Sequence, residues 1–290
     1  MHKKLYHFAC ICFSRPYHNR HMDALTSSII SICIIFGGSA IGSALVFFFR
    51  KDLSDKMNNL VLGFASGIMI AAGIFGLLIP SIEEAQNSST YASFPYVPVL
   101  IGFFIGCIIL YAIDKIVPHL HHEGSEEEGI KTNKLGKHTK LFFAVLIHNI
   151  PEGLAVGFAC GLALASPSLT TAMAALSLAI GITIQNIPES FAVAVPLYAN
   201  GMKKSKAFLL ALATGIVEPI FAIVGLFLAF YIEPLLPWLL SFASGAMIYV
   251  TVDELLPEAR KGAAIHYGLW AFIIGFMIML ALEVIPINVI

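Results

Sequence analysis

Two nearly identical polar strings sit in the middle of two apolar runs. His148-Asn149-Ile150-Pro151-Glu152-Gly153 lies in LFFAVLIHNIPEGLAVGFACGLALA, which starts at Leu141. Gln185-Asn186-Ile187-Pro188-Glu189-Ser190 lies in AMAALSLAIGITIQNIPESFAVAVPLY, which starts at Ala172. Each run is long enough to cross a bilayer as a helix. A charged side chain at bilayer depth costs at least ~2.5–3.5 kcal/mol on insertion scales. Two carboxylates, a histidine and three amides at that depth must therefore face the protein interior and hold something polar.

Helical spacing agrees. His148 and Glu152 are i, i+4 and share a face, as do Gln185 and Glu189. Asn149 and Asn186 each stand three residues before a glutamate, so each carboxylate can be shared. Pro151 and Pro188 remove helical N–H groups, free the carbonyls of residues 147 and 184, and bend their helices. Freed backbone at this depth is tolerated where it lines a cavity or is covered by protein. Imidazole, carboxylate and amide oxygens together suit a borderline divalent cation such as Zn²⁺.

The composition places the rest of the chain in the same medium. Of 290 residues, 58% are hydrophobic and 12% charged, about half the charged share of a soluble domain. The net charge of −1 gives no reason to expect a nucleic-acid partner. The five cysteines are scattered and form no disulfide framework.

Eight apolar segments are expected, near 24–49, 59–81, 96–116, 141–165, 171–199, 205–231, 235–257 and 265–288. The fold class is therefore an all-α polytopic membrane protein. Residues 1–23 form a basic N-terminal tail, without the small-residue cleavage site of a signal peptide, and translation could start at Met1 or at Met22. The membrane domain is 24–290. Its third loop, about 117–140, is polar and carries His119, His121 and His122 beside glutamates. This loop can bind metal loosely or serve as a solvated linker.

Basic residues give the orientation. Arg50, Lys51, Lys56, Lys115, Lys131, Lys134, Lys137, Lys140, Lys203, Lys204, Lys206, Arg260 and Lys261 all fall in odd-numbered loops. Even-numbered loops and the C-terminus hold none. Odd loops are then cytoplasmic and both termini lie outside. The string Ala65-Ser66-Gly67-Ile68-Met69-Ile70 in segment two returns as Ala243-Ser244-Gly245-Ala246-Met247-Ile248 in segment seven. Those segments run in opposite directions, so the repeat is inverted. Segments four and five form a second pair, which implies a layout of three, two and three, as in many secondary transporters.

Other residues carry weaker signals. Glu218 precedes Pro219 in mid-segment and is expected as a bridging ligand. Met69 is a soft thioether on a face that more often packs. Glu83 and Glu84 lie at the outer end of segment two, and Asp253, Glu254 and Glu258 at the inner end of segment seven. Acids at helix ends are usually solvated; here they could also draw cations to an entrance and an exit. Glu283, near the outer end of segment eight, has no assigned role.

The strings HNIPEG, QNIPES followed by AVAVPL, VEP in segment six and DELLPE in segment seven resemble the ZIP family of divalent metal transporters. The Gln-Asn pair in segment five is most similar to the GufA-type branch, where other ZIP proteins carry His at the position of Gln185. The resemblance covers roughly 24–290. It implies eight helices in a 3+2+3 inverted arrangement, commonly as a homodimer, in which segments one, four, five and six slide against two, three, seven and eight. It also implies a binuclear midplane site. One ion would use His148, Glu152, Gln185 and Glu189, with Met69 as a further ligand. The other would use Asn149, Glu152, Asn186, Glu189 and Glu218. Asn186 is neutral where some relatives have Asp, and Ser190 replaces the usual Gly, which weakens the second site for a divalent ion.

The expected activity is inward transport of Zn²⁺ across the plasma membrane, with Fe²⁺, Mn²⁺ and Cd²⁺ as further cargoes and no organic cofactor. Two alternatives remain open: a metal-binding membrane sensor, and a channel without a carrier cycle. An intramembrane zinc protease would need HExxH on a helix. His122-Glu123 lacks the second histidine, and no enzymatic role is expected.

Overall fold

The computed structural model describes residues 24–49, 54–116, 119–120, 127–128, 137–199, 201–231 and 233–284. The N-terminal tail, His121 and His122 lie outside that set. Eight helical spans follow one another: α1 (Ala24–Phe47), α2 (Asp55–Asn87), α3 (Tyr96–Ile116), α4 (Lys137–Ala165), α5 (Leu169–Ala199), α6 (Lys204–Phe230), α7 (Leu236–Glu258) and α8 (Ile265–Val284). Seven are long and apolar enough to cross a membrane, and the apolar Asn149–Ala165 stretch of α4 is shorter. The chain is an all-α membrane protein. Among the described residues the third loop contributes one short antiparallel pair, β1 (His119–Leu120) with β2 (Glu127–Glu128).

Burial is inverted relative to a soluble domain. Ile101, Phe104, Ile108 and Tyr111 of α3 and Trp270, Ile273, Ile274 and Met277 of α8 are exposed. Glu152, Glu189 and Glu218 are buried. Large apolar side chains outside and carboxylates inside fit a solvent of hydrocarbon. At one end, Lys56, Lys115 and Lys204 reach over the rings of Tyr267, Tyr111 and Tyr198. Basic and aromatic side chains grouped in this way suit the headgroup level.

The helices pack chiefly as four pairs: α1 with α5, α4 with α6, α2 with α8, and α3 with α7. Glycines set the close approach. A methyl on Gly67 of α2 would meet the Phe272 carbonyl of α8, and one on Gly245 of α7 would meet the Phe103 carbonyl of α3. Gly275 faces the Phe64 carbonyl, and Gly106 faces the Phe242 carbonyl. Small residues at membrane helix interfaces let backbones meet in this way. Gly63 touches Gly268 and Gly67 touches Phe272, so contact numbers rise together along α2 and α8 and the two run parallel.

These contacts carry a repeat deeper than the one readable in α2 and α7. Adding 178 takes Phe64 and Gly67 to Phe242 and Gly245; adding 169 takes Phe103 and Gly106 to Phe272 and Gly275. The two contact sets then coincide. Exchanging α1 with α6, α2 with α7, α3 with α8 and α4 with α5 leaves the four-pair pattern unchanged, which is consistent with a repeat of three, two and three segments. Both long repeat helices also widen to π geometry at matching places, Ala72–Leu78 in α2 and Thr251–Leu255 in α7. π-turns of this kind are often found at functional sites.

No principal pair joins the group α1, α4, α5 and α6 to the group α2, α3, α7 and α8. The seam between them includes an apolar cavity of about 530 Å³, lined by Leu45, Val61, Phe64, Ile187, Pro188 and Ala271 among others.

Candidate metal site in the membrane core

The five polar residues of the two strings other than His148 and Ser190, together with Glu218, were expected to face inward. Asn149, Glu152, Gln185, Asn186, Glu189 and Glu218 are all buried, none more than 4% exposed. Helix α4 passes through Pro151, and α5 through both Pro188 and Pro196. Helix α6 does break, at Ile216 between Lys204–Gly215 and Val217–Tyr231, two residues before Glu218 of Glu218-Pro219. His148 belongs to α4, and its side chain is outside the described set.

The residues gather into two lobes. In the first, Gln185 Nε2 donates to Glu152 Oε1 at 3.1 Å and also to Glu189 Oε2. In the second, Glu218 is the hub. Its Oε1 accepts from Asn149 Nδ2 at 3.1 Å and from Ser39 Oγ at 3.1 Å, and its Oε2 accepts from Asn186 Nδ2. Asn149 Nδ2 also reaches the Thr214 carbonyl at 3.0 Å, and Asn186 Nδ2 the Ile35 carbonyl at 3.1 Å. Thr214 stands at the end of the first half of α6, where its carbonyl also accepts the N–H of the C-cap residue Ile216.

Ser39, Thr214 and Ile35 were not singled out in the sequence. The available signal was a run of serines and glycines in α1 (Ser27, Ser31, Gly38, Ser39, Gly42), which marks close packing but does not name a partner. A methyl on Gly38 would meet the Thr183 carbonyl and one on Gly42 the Ile187 carbonyl, so α1 lies directly against the QNIPES segment.

Every amide in these lobes spends its N–H on a carboxylate, or on a carboxylate and a carbonyl. Asn149 Oδ1, Gln185 Oε1, Asn186 Oδ1 and Glu152 Oε2 are buried and accept no hydrogen bond among the described residues. A buried acceptor without a donor costs about 1–3 kcal/mol. Four of them beside three carboxylates form an electron-rich interior that a cation would satisfy. Among the described residues no group of three His, Cys, Asp or Glu side chains converges tightly enough to hold a metal. Amide oxygens would have to complete any coordination shell formed by the described residues.

The remaining expected residues lie apart. Met69 of α2 is buried, and Thr251 Oγ1 of α7 donates to its Sδ at 3.7 Å. It packs in a cluster with Ile147, the neighbour of His148. Glu83 and Asp253 are exposed and Glu84 is half-buried. Glu254 and Glu258, at a helix end where solvation is usual, are buried; the π-turn of α7 rolls this acidic stretch toward the protein. Glu258 Oε2 pairs with Lys261 Nζ at 2.5 Å. His119 lies in β1, its side chain outside the described set.

The profile of the family described as ZIP Zinc transporter matches residues 25–141 and 138–283. Zinc transporter ZIP11 of Xenopus tropicalis is 33% identical, over 89% of this chain and 96% of that protein. Zinc transporter GufA of Myxococcus xanthus is 34% identical, over 87% of this chain and 96% of that protein. Zinc transporter ZupT of Chlorobaculum parvum is 34% identical, over 86% and 94%.

Proposed function

Because this chain belongs to the ZIP family, we propose that it carries Zn²⁺ into the cytosol, with Fe²⁺, Mn²⁺ and Cd²⁺ as competing cargoes. The observation that carries this reading is the set of four donorless buried oxygens beside Glu152, Glu189 and Glu218. A site of this kind gains most from a cation that sheds its water on arrival.

The ion is held in the first lobe by His148, Glu152, Gln185 and Glu189, with Met69 as a soft donor across the seam. In the second lobe Asn149, Asn186 and Glu218 hold a further ion, and Glu152 and Glu189 are shared. The second lobe offers one carboxylate of its own and two amides, so it binds a divalent ion more weakly. Gln185 keeps Glu152 and Glu189 turned toward one another, and Ser39 fixes Glu218.

The pairing of helices supports a sliding movement. Apart from Met69, the site residues belong to α1, α4, α5 and α6; the four principal helix pairs fall within this group or within the other four helices, and lesser contacts of α2 with α5 and of α7 with α4 form the seam. Sliding of the first group along the seam would carry the ion from the outer to the inner mouth. The ion then leaves past Asp253 and Glu254 toward His119, His121 and His122. Glu83 and Glu84 draw cations to the outer side. The protein sits in the plasma membrane as a homodimer with both termini outside; the absence of basic residues from even loops supports that orientation.

The test is transport by the double variant Glu152→Ala, Glu189→Ala in cells, with surface biotinylation to count protein at the membrane. Zinc accumulation should vanish while surface protein persists. Accumulation equal to wild type would remove the site from the pathway.

A further inference from the structure

One half-buried glutamate takes no part in the two lobes. Glu283 lies on α8, and its Oε1 is buried and makes no hydrogen bond among the described residues. It faces the π-turn of α2: a methyl built on Gly76 would stand 3.1 Å from Glu283 Oε1 and 2.8 Å from Leu178 Cδ1 of α5. One turn earlier on α8, Met279 seats its sulfur against Gly181 of α5. Leu178 and Met279 are both fully buried.

These contacts lie in order along one face of α5. Leu178, Gly181, Gln185 and Glu189 follow helical spacing of three, four and four residues. Seven residues separate Leu178 from Gln185, about 10 Å along the axis. Glu283 therefore stands above the first lobe on its own face of α5, with the Leu178 and Met279 side chains between. A carboxylate on an apolar membrane helix is costly, and Oε1 of Glu283 has no polar partner among the described residues.

The repeat supplies a second, independent reason. The offset of 169 that matches α3 to α8 takes Asp114 to Glu283 and Leu110 to Met279. Leu110 packs in the same buried cluster as Met69. In register, the repeat thus pairs an acid with an acid and, four residues earlier, an apolar residue with an apolar residue. An inverted repeat that alternates between two faces needs equivalent mouths.

We propose that Glu283 is the carboxylate at which the incoming cation halts on the outer side, before Leu178 and Met279 part to admit it to Gln185. This rests on the transport reading above. Glu283 is a binding residue on the path, and Leu178 with Met279 is the apolar barrier behind it.

The experiment compares ⁶⁵Zn uptake by wild type, Glu283→Gln, Glu283→Asp and Glu152→Ala in proteoliposomes, with equilibrium zinc binding to each solubilised protein. Glu283→Gln should raise KM about five- to tenfold with zinc binding at the core site unchanged, because it removes an interaction made only on the way in. Glu283→Asp should restore most of the affinity. Wild-type KM in Glu283→Gln overturns the proposal. So does equal loss in Gln and Asp, or failure of both to fold, since either means a packing role. If Glu152→Ala transports like wild type, the core site itself fails; that result is distinct from any effect at Glu283.

Discussion

Gln185 on α5 donates its Nε2 to Glu152 on α4 at 3.1 Å, tying together the two copies of the repeated string. The same nitrogen serves Glu189 one turn along. A single amide thus orients two carboxylates from two helices and leaves its own Oε1 without a donor.

Replacing that amide should expose its work. Gln185→Leu keeps the volume and removes the donor, leaving Glu152 and Glu189 opposed. A hydrogen bond to a charged group is worth about 1.5–3 kcal/mol, so KM for zinc should rise at least about tenfold. Uptake kinetics measure it, and an unchanged KM would mean that Gln185 does not organise the carboxylates.

Glu218 offers the cleanest separation of the two lobes. Glu218→Gln keeps the shape but gives up the charge that Asn149, Asn186 and Ser39 hold. Calorimetric titration with zinc should lose the weaker binding event and keep the tighter one. Loss of the tighter event instead would invert the ranking of the lobes.

The repeat predicts matched mutational effects. Gly67→Ala presses a methyl on the Phe272 carbonyl, and Gly245→Ala presses one on the Phe103 carbonyl. Overpacking of this kind costs about 1–3 kcal/mol. Both variants should lower the melting temperature in detergent, by similar amounts. A large effect from one and none from the other would break the correspondence of α2–α8 with α7–α3.

Acid should weaken transport. The cation needs His148 neutral and the carboxylates ionised, and protons compete for the same atoms. ⁶⁵Zn uptake at subsaturating zinc should fall steadily as outer pH drops from about 7.5 to about 5.5, because protons displace the cation from shared ligand atoms. Uptake that rises over that range would contradict this ligand chemistry.

Much of this architecture can be read from the chain. Long apolar runs mark the spans, and a glutamate next to a proline at bilayer depth has few meanings. The α2–α7 match is visible because Ala-Ser-Gly and Met-Ile survive in both copies. The α3–α8 match is not, because Leu, Ile, Phe and Met replace one another freely against lipid; only the contacts of Gly106 and Gly275 set its register. Ser39 and Thr214 reach the site through packing between distant helices, which local spacing does not encode. Glu254 and Glu258 read as solvated helix-end acids because a π-turn, which changes the direction of side chains by a fraction of a turn, leaves no trace in the periodicity.

The most direct measurement of the central claim is ⁶⁵Zn uptake into proteoliposomes reconstituted with wild type or with Glu152→Ala. Saturable uptake by the wild type that is lost in the variant is the predicted result. Equal uptake by both would contradict it, and would leave the buried carboxylates of α4 and α5 without the role given to them here.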